Sequence, residues 1–195
     1  MATRLVLVRH GETEWSRAGR HTGRTDLPLT AAGEDEARRI GPTLADWDFT
    51  AVYASPLRRA TDTARLAGFA ATLDFDLVEW DYGDIEGRTN AAVLDEMPGW
   101  SKWYSPVPGG ESIEHVGDRA DRFLEALDAV DGDVLCFAHG HLLAVVIARW
   151  LELPASEGRR FPLQTGTLSV LTRKRDDTII EALNRACGPP LPSYP

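Results

Sequence analysis

The chain has 195 residues, of which 43% are hydrophobic and 26% are charged, a balance typical of one globular domain with a substantial core. Its formal net charge of -9 argues against a nucleic-acid or anionic membrane surface as partner, because both attract a positive field. Two cysteines and the lack of a long N-terminal apolar run argue against a disulfide framework and a secretion signal. We therefore expect a cytoplasmic protein with a small-molecule partner, and its tendency to form a homo-oligomer stays open.

The first predicted element is a strand that ends in reactive side chains. Residues 5–8 are four consecutive apolar residues, the pattern of a strand buried on both faces. Arg9, His10 and Gly11 follow, which are a cation, a nucleophile near neutral pH and a residue that permits close approach of a ligand. Ligands bind at the carboxyl ends of strands in open α/β sheets, so phosphoryl chemistry on His10 is predicted.

A polar segment and two helices come next. Residues 12–28 show neither helical nor strand periodicity and are predicted to form an ordered, functional loop. A helix is expected over 31–46 after Thr30 as N-cap, and a short strand over 51–54. A second helix is predicted to start with Ser55 as N-cap and Pro56 at its first position. Arg58 would then lie in the first turn, where free amides and a guanidinium attract anions.

The middle of the chain is acidic and then aromatic. Residues 73–78 alternate as a strand does, and the segment 79–86 that follows carries four carboxylates. Residues 89–108 contain a weak helical pattern and several tryptophans, and they are predicted to form a lid-like excursion.

The last third of the chain repeats the opening pattern. A second apolar strand, residues 134–138, delivers His139, Gly140 and His141. The other expected elements are helices over 113–130 and 142–151, an antiparallel pair over 167–172 and 178–183, and a loose proline-rich tail over 188–195. This order predicts a single α/β domain over 1–195, built as a three-layer sandwich. A mostly parallel central sheet would carry helices on both faces and a small lid-like insertion.

The histidines also allow other interpretations. A single histidine at a strand end is often structural, and the spacing of His139 and His141 could place two imidazoles on a metal. No third ligand is indicated, and the motifs of zinc peptidases, P-loop NTPases and serine hydrolases are absent from the sequence. Neither a metal nor a cofactor is therefore predicted.

Several separated motifs together resemble the histidine phosphatase superfamily, also called phosphoglycerate-mutase-like. They are RHGETEW, the TG of RHTGRTDLPLT, SPLRRATDTA, EWDYGDIEG and AHGH, and the resemblance extends from residue 5 to about residue 151. It implies that His10 is transiently phosphorylated and that Glu79 is the proton donor. It also implies three ligands of the phosphoryl oxygens, which are Arg9, Arg58 and His139.

Physical chemistry fits these implied roles. Phosphoryl transfer requires positioning and positive charge on the equatorial oxygens, and arginine forks supply both without a metal. Cations near His10 disfavour its imidazolium form, which keeps the ring nucleophilic. The leaving alkoxide needs a proton from a carboxyl group, and Glu12, Asp81 and Glu86 stay open as alternatives to Glu79.

The resemblance further implies a substrate pocket lined by Ser16, Thr22, Gly23, Tyr82 and Gly140. The chain departs from the mutases where Ser16 and His141 stand, because the mutases have asparagine at both positions. The role of His141 stays open.

Within this superfamily, the chain is most similar to a branch that includes broad acid phosphatases and fungal sedoheptulose-bisphosphatase-like enzymes. The similarity rests on GRHTG, EWDYG with the following EG, PGGES and AHGH. We therefore predict a metal-independent phosphomonoesterase that acts through phosphohistidine on small phosphorylated metabolites, with sugar phosphates as candidates. One alternative is a cofactor-dependent phosphoglycerate mutase, which would have to exclude water from the phosphohistidine. Another is a non-catalytic module that binds phosphorylated ligands.

Overall fold

The strand predicted at the start of the chain lies in the middle of a six-stranded sheet. The structure is a computed structural model, and it describes residues 2–175 and 177–188. The strands are β1 (Ala2–Arg9), β2 (Phe49–Ala54), β3 (Thr72–Leu73), β4 (Gly132–Ala138), β5 (Thr167–Lys174) and β6 (Asp177–Ala186). In the order β3-β2-β4-β1-β5-β6, the first four are parallel and the last two antiparallel to their neighbours.

Helices cover both faces of this sheet. The longer ones are α2 (Ala31–Thr43), α3 (Arg58–Leu66), α5 (Ile113–Ala126) and α6 (Gly140–Trp150). Because side chains alternate along a strand, Leu5 and Leu7 pack with α5 and α6, whereas Val6 and Val8 pack with residues of α2 and α3. The three-layer α/β prediction is confirmed.

Helix starts follow side-chain caps in most places. Thr30 caps α2 by accepting a 3.1 Å hydrogen bond from the Gly33 amide, and Ser112 caps α5. The predicted start of the second helix was wrong, because α3 begins at Arg58 after an N-cap, Leu57, that has no side-chain oxygen. The hydroxyl of Ser55 bonds instead to His139.

Other element boundaries also differ from the sequence prediction. The loop over 12–28 contains the one-turn helix α1 (Glu14–Arg17), which Thr13 and Ser16 cap reciprocally. Of the predicted strand over 73–78 only Leu73 belongs to a strand, β3, because Asp74 accepts from the Asp76 amide and starts a 3-10 turn, Phe75–Leu77. The helices expected over 31–46 and 113–130 end earlier, at Thr43 and Ala126.

The excursion over 89–108 contains one short helix, α4 (Asn90–Glu96), followed by turns. The predicted tail lies outside the described residues except for Gly188. No helix in the described ranges is both long enough and apolar enough to cross a bilayer.

Candidate active site

Three neighbouring parallel strands end side by side and bring two histidines together. The register pairs Arg9 with Ala138, and the His10 amide continues it by donating to the Ala138 carbonyl at 3.0 Å. As a result, the His10 and His139 ring centroids lie 5.2 Å apart. Ser55 follows β2 directly and lies beside these histidines in the sheet order, because its amide donates to the Phe137 carbonyl.

His10 has the geometry of a neutral nucleophile. Its Nδ1 lies 2.8 Å from the Gly11 carbonyl, which can only accept, so the proton is on Nδ1 and the Nε2 lone pair is free. Burial, followed by the charges of Arg59 and Arg9, lowers the pKa of His10 well below its usual value. The chain turns tightly here, since a Cβ on Gly11 would lie 2.2 Å from the Gly33 carbonyl oxygen.

The arginine that α3 brings to this region is Arg59, so the expected placement of Arg58 has to be corrected. The Arg58 side chain is 62% exposed and pairs with Asp62 one turn along the helix. Arg59 is fully buried and donates from Nε to His139 Nδ1 at 3.1 Å. Its Nη atoms donate to three carbonyls in the preceding loop, those of Thr22, Gly23 and Thr25.

His139 is held from both sides. Because Arg59 donates to its Nδ1, the neutral ring carries its proton on Nε2 and donates to Ser55 Oγ at 2.7 Å. Burial, then the nearby Arg59 charge, lowers the pKa of His139 well below its usual value. Both ring nitrogens are therefore occupied, and the side chain lies behind His10 rather than on the pocket wall.

Arg9 faces the pocket beside His10. Its Nη1 donates to the Leu163 carbonyl at 2.5 Å, whereas its buried Nε has no partner among the described residues. Gly140 permits this placement, since a Cβ there would lie 3.1 to 3.3 Å from the guanidinium atoms. Arg9 therefore has hydrogen-bonding capacity left for an anion.

Glu79 is held at the N-terminus of α6. Its carboxylate accepts from the amides of Trp80 at 2.9 Å, His141 at 3.1 Å and Leu142 at 2.8 Å. The positive end of a helix favours a carboxylate in this position. Glu79 also lines the same pocket as His10.

The alternative proton donors are bonded elsewhere. Glu12 accepts from the Thr30 hydroxyl, Asp81 accepts from the Gly83 amide, and Glu86 accepts from the Thr25 amide at 2.6 Å. Among these four carboxylates, only Glu79 contributes to the pocket wall.

The pocket has a volume of about 240 Å³. Its wall consists of Arg9, His10, Ser16, Gly19, Arg20, His21, Thr22, Glu79, Tyr82, Asn90, Lys102 and His141. Three predicted pocket residues, Ser16, Thr22 and Tyr82, are thus on the wall, whereas Gly23 and Gly140 support Arg59 and Arg9 from behind. A larger cavity of about 660 Å³, between Trp103 and α5, contains none of the reactive side chains.

Five residues of the pocket wall were missed by sequence reasoning, namely Gly19, Arg20, His21, Asn90 and Lys102. Burial lowers the pKa of His21 to about 4, with a smaller contribution from Lys102. Burial also lowers the pKa of Lys102 to about 8, against the opposing effect of Glu79. His21 stands next to the recognised TG motif, which was the available signal. Lys102 lies in the excursion over 89–108, and no local sequence pattern predicts where that segment packs.

The structure adds little to the metal hypothesis for His139 and His141. The described residues contain no group of three or more His, Cys, Asp or Glu side chains arranged to hold an ion. His139 is already bound on both nitrogens, and His141 Nδ1 lies 2.5 Å from the Tyr82 hydroxyl.

Comparison with known proteins identifies the class. The model of the histidine phosphatase superfamily, branch 1, matches residues 5–186. An acid phosphatase of Mycobacterium tuberculosis is 43% identical over 172 residues, covering 86% of this chain and 85% of the relative. A solved structure of a Mycobacterium tuberculosis open reading frame product superposes with a TM-score of 0.91 at 39% identity, covering 95% of this chain and 99% of that one.

Two further relatives carry different activity names. Sedoheptulose 1,7-bisphosphatase of Saccharomyces cerevisiae is 32% identical over 187 residues, covering 78% of this chain and 69% of the relative. A probable phosphoglycerate mutase of Salmonella typhi is 34% identical over 177 residues, covering 85% and 82%. The chain belongs to the histidine phosphatase superfamily. Within that family, a phosphatase fits these findings better than the alternatives.

Proposed function

We propose that this enzyme hydrolyses phosphomonoesters of small metabolites, sugar phosphates among them, through a phosphohistidine on His10 and without a metal. One observation carries the proposal. His10 is neutral and has a free Nε2 in a pocket that also contains the cation Arg9 and the carboxyl group of Glu79.

The reaction follows from these positions. The Nε2 lone pair attacks phosphorus, the ester P–O bond breaks, and the leaving oxygen takes a proton from Glu79. In the second half, Glu79 takes a proton from water, the water oxygen attacks phosphorus, and the P–N bond breaks to release inorganic phosphate. Guanidinium charge stabilises the phosphoryl oxygens in both halves.

The two buried arginines would share this task unequally. Arg9 lines the pocket and bonds to only one carbonyl among the described residues, that of Leu163, so it is the better candidate for direct contact with the phosphoryl group. Arg59 already uses its donors on His139 and the loop carbonyls, so it would contribute its charge and hold His139 in place. Arg58 has no place in this proposal.

Partner and compartment are parts of the same proposal. The net charge of -9 supports a small phosphate ester rather than a nucleic acid as partner. Cys136 and Cys187 are free and buried, which suits the cytoplasm.

The test is phosphate release from a panel of phosphate esters, with a chelator present throughout. His10→Ala should reduce kcat/KM by at least about 10³-fold, as expected for loss of a covalent nucleophile. His115→Ala, which changes an exposed histidine on α5, is the matched control. An alkaline quench of the wild-type reaction should recover a phosphoryl group on the peptide that contains His10.

The phosphoglycerate mutase alternative has its own assay. The enzyme is incubated with 3-phosphoglycerate and a trace of 2,3-bisphosphoglycerate. Isomerisation without phosphate release would replace the phosphatase proposal. Unchanged phosphate release by His10→Ala would remove the catalytic role of His10 altogether.

A further inference from the structure

His21 is a buried pocket residue whose Nε2 has no hydrogen-bond partner among the described residues. It is 6% exposed and packs on Tyr82 at 4.9 Å and on Trp100 at 6.3 Å between ring centroids. Two backbone hydrogen bonds, to Arg88 and from Gly87, fix its position. Because this Nε2 is enclosed, the proton is better placed on Nδ1, and the residue lines the cavity. An unused donor in such a place calls for a ligand.

His141 is a second histidine on the wall of the same cavity. Its Nδ1 lies 2.5 Å from the Tyr82 hydroxyl, and that hydroxyl has no other partner among the described residues. Burial raises the pKa of Tyr82 well above its usual value, so the hydroxyl keeps its proton and donates to Nδ1. The ring therefore carries its own proton on Nε2. The side chain is 37% exposed and lines the pocket.

The charge of the pocket comes from residues other than these two. The cations Arg9, Arg20 and Lys102 line it together with Glu79, and the buried Arg59 lies beside His139. Desolvation lowers the pKa values of His21 and His141, so both rings are uncharged at neutral pH.

We propose that His21 and His141 form a subsite for hydroxyl groups of the leaving alcohol, so that the substrate is the monophosphate of an uncharged polyol. This inference rests on the proposed phosphatase function and names its substrate class. Two neutral N–H groups can donate to hydroxyl oxygens without a charged partner, whereas neither ring supplies a positive charge to a second anionic group.

Three esters with the same three-carbon skeleton test the subsite. Glycerol 3-phosphate has two free hydroxyls, propyl phosphate has none, and 3-phosphoglycerate carries a carboxylate at its far end. In the wild type, kcat/KM for glycerol 3-phosphate should exceed that for each of the others by about tenfold or more, the loss expected when a buried donor stays unpaired.

Variants then assign the effect to residues. His21→Phe keeps the aromatic packing, and His141→Phe keeps the backbone amide that binds Glu79. Each should reduce the ratio of kcat/KM for glycerol 3-phosphate to that for propyl phosphate by about tenfold. His115→Phe on the exposed face of α5 is the control, and its ratio should equal that of the wild type.

Three results would overturn the subsite. They are equal rates on glycerol 3-phosphate and propyl phosphate, preference for 3-phosphoglycerate, and an unchanged ratio in both variants. Each is distinct from failure of the proposed function, in which none of the three esters would release phosphate.

Discussion

Arg59 and Arg58 are neighbours in the sequence, yet their replacement should have opposite consequences. Arg59 is fully buried and makes hydrogen bonds to His139 and to three loop carbonyls at 2.9 to 3.3 Å. Arg58 is exposed, and among the described residues its side chain pairs with Asp62 alone. We predict that Arg59→Met strongly destabilises the fold, whereas Arg58→Met does not.

The magnitude follows from the bonds that Arg59→Met removes. A hydrogen bond that involves a charged group contributes about 1.5–3 kcal/mol, but such contributions are not additive. Removal of the buried charge offsets part of the loss, because its desolvation cost disappears too. We expect the free energy of unfolding to fall by about 3–5 kcal/mol for Arg59→Met. The Arg58→Met variant should stay within about 0.5 kcal/mol of the wild type.

Urea unfolding followed by circular dichroism measures both values. Arg59→Lys should recover only part of the loss, because an ammonium group cannot span four acceptors on different sides. Equal effects of the Met variants at positions 58 and 59 would refute the reasoning, and so would full recovery by Arg59→Lys.

Two further predictions concern pH. The pKa of His21 is about 4 in the fold against 6.5 for an unperturbed histidine, so the unfolded state binds more protons between these values and stability falls as pH is lowered through this window. His21→Phe should flatten that dependence by on the order of 2 kcal/mol, measured by urea unfolding at pH 7 and pH 4.5, and an unchanged slope would contradict it. Lys102, with a pKa of about 8, loses its charge above that pH, so kcat/KM should decline there. Lys102→Met should remove that decline in kcat/KM. Lys174→Met, which changes an exposed lysine, is the control and should retain the decline. A decline that persists in Lys102→Met would show that another group titrates.

The strand ends were predictable from sequence because their signals are local. A continuous apolar run identifies β1 and another identifies β4, and parallel strands present their carboxyl ends at the same edge. Proximity of His10 and His139 follows from these two facts together. No knowledge of loops is needed for that step.

The choice between Arg58 and Arg59 was not predictable in this way. Successive residues of an α-helix point about 100° apart, so an error in the helix start rotates every side chain. The Ser-Pro pattern predicts a start at Ser55, but the Ser55 hydroxyl is bonded to His139 and the helix starts at Arg58. His21 and Lys102 were hidden for another reason. Their places depend on how two segments without periodicity pack together.

The junction between β4 and α6 explains why so short a motif as His-Gly-His organises the site. His139 ends the strand row and binds Arg59, while Gly140 leaves the space in which Arg9 approaches. The amide of His141 holds Glu79, and its side chain is bonded to Tyr82. Cation, carboxylate and pocket wall are therefore positioned by three consecutive residues. These contacts depend on backbone amides and on the space left by Gly140 as much as on side chains. A shift of the start of α6 would therefore displace Arg9, Glu79 and the pocket wall at once.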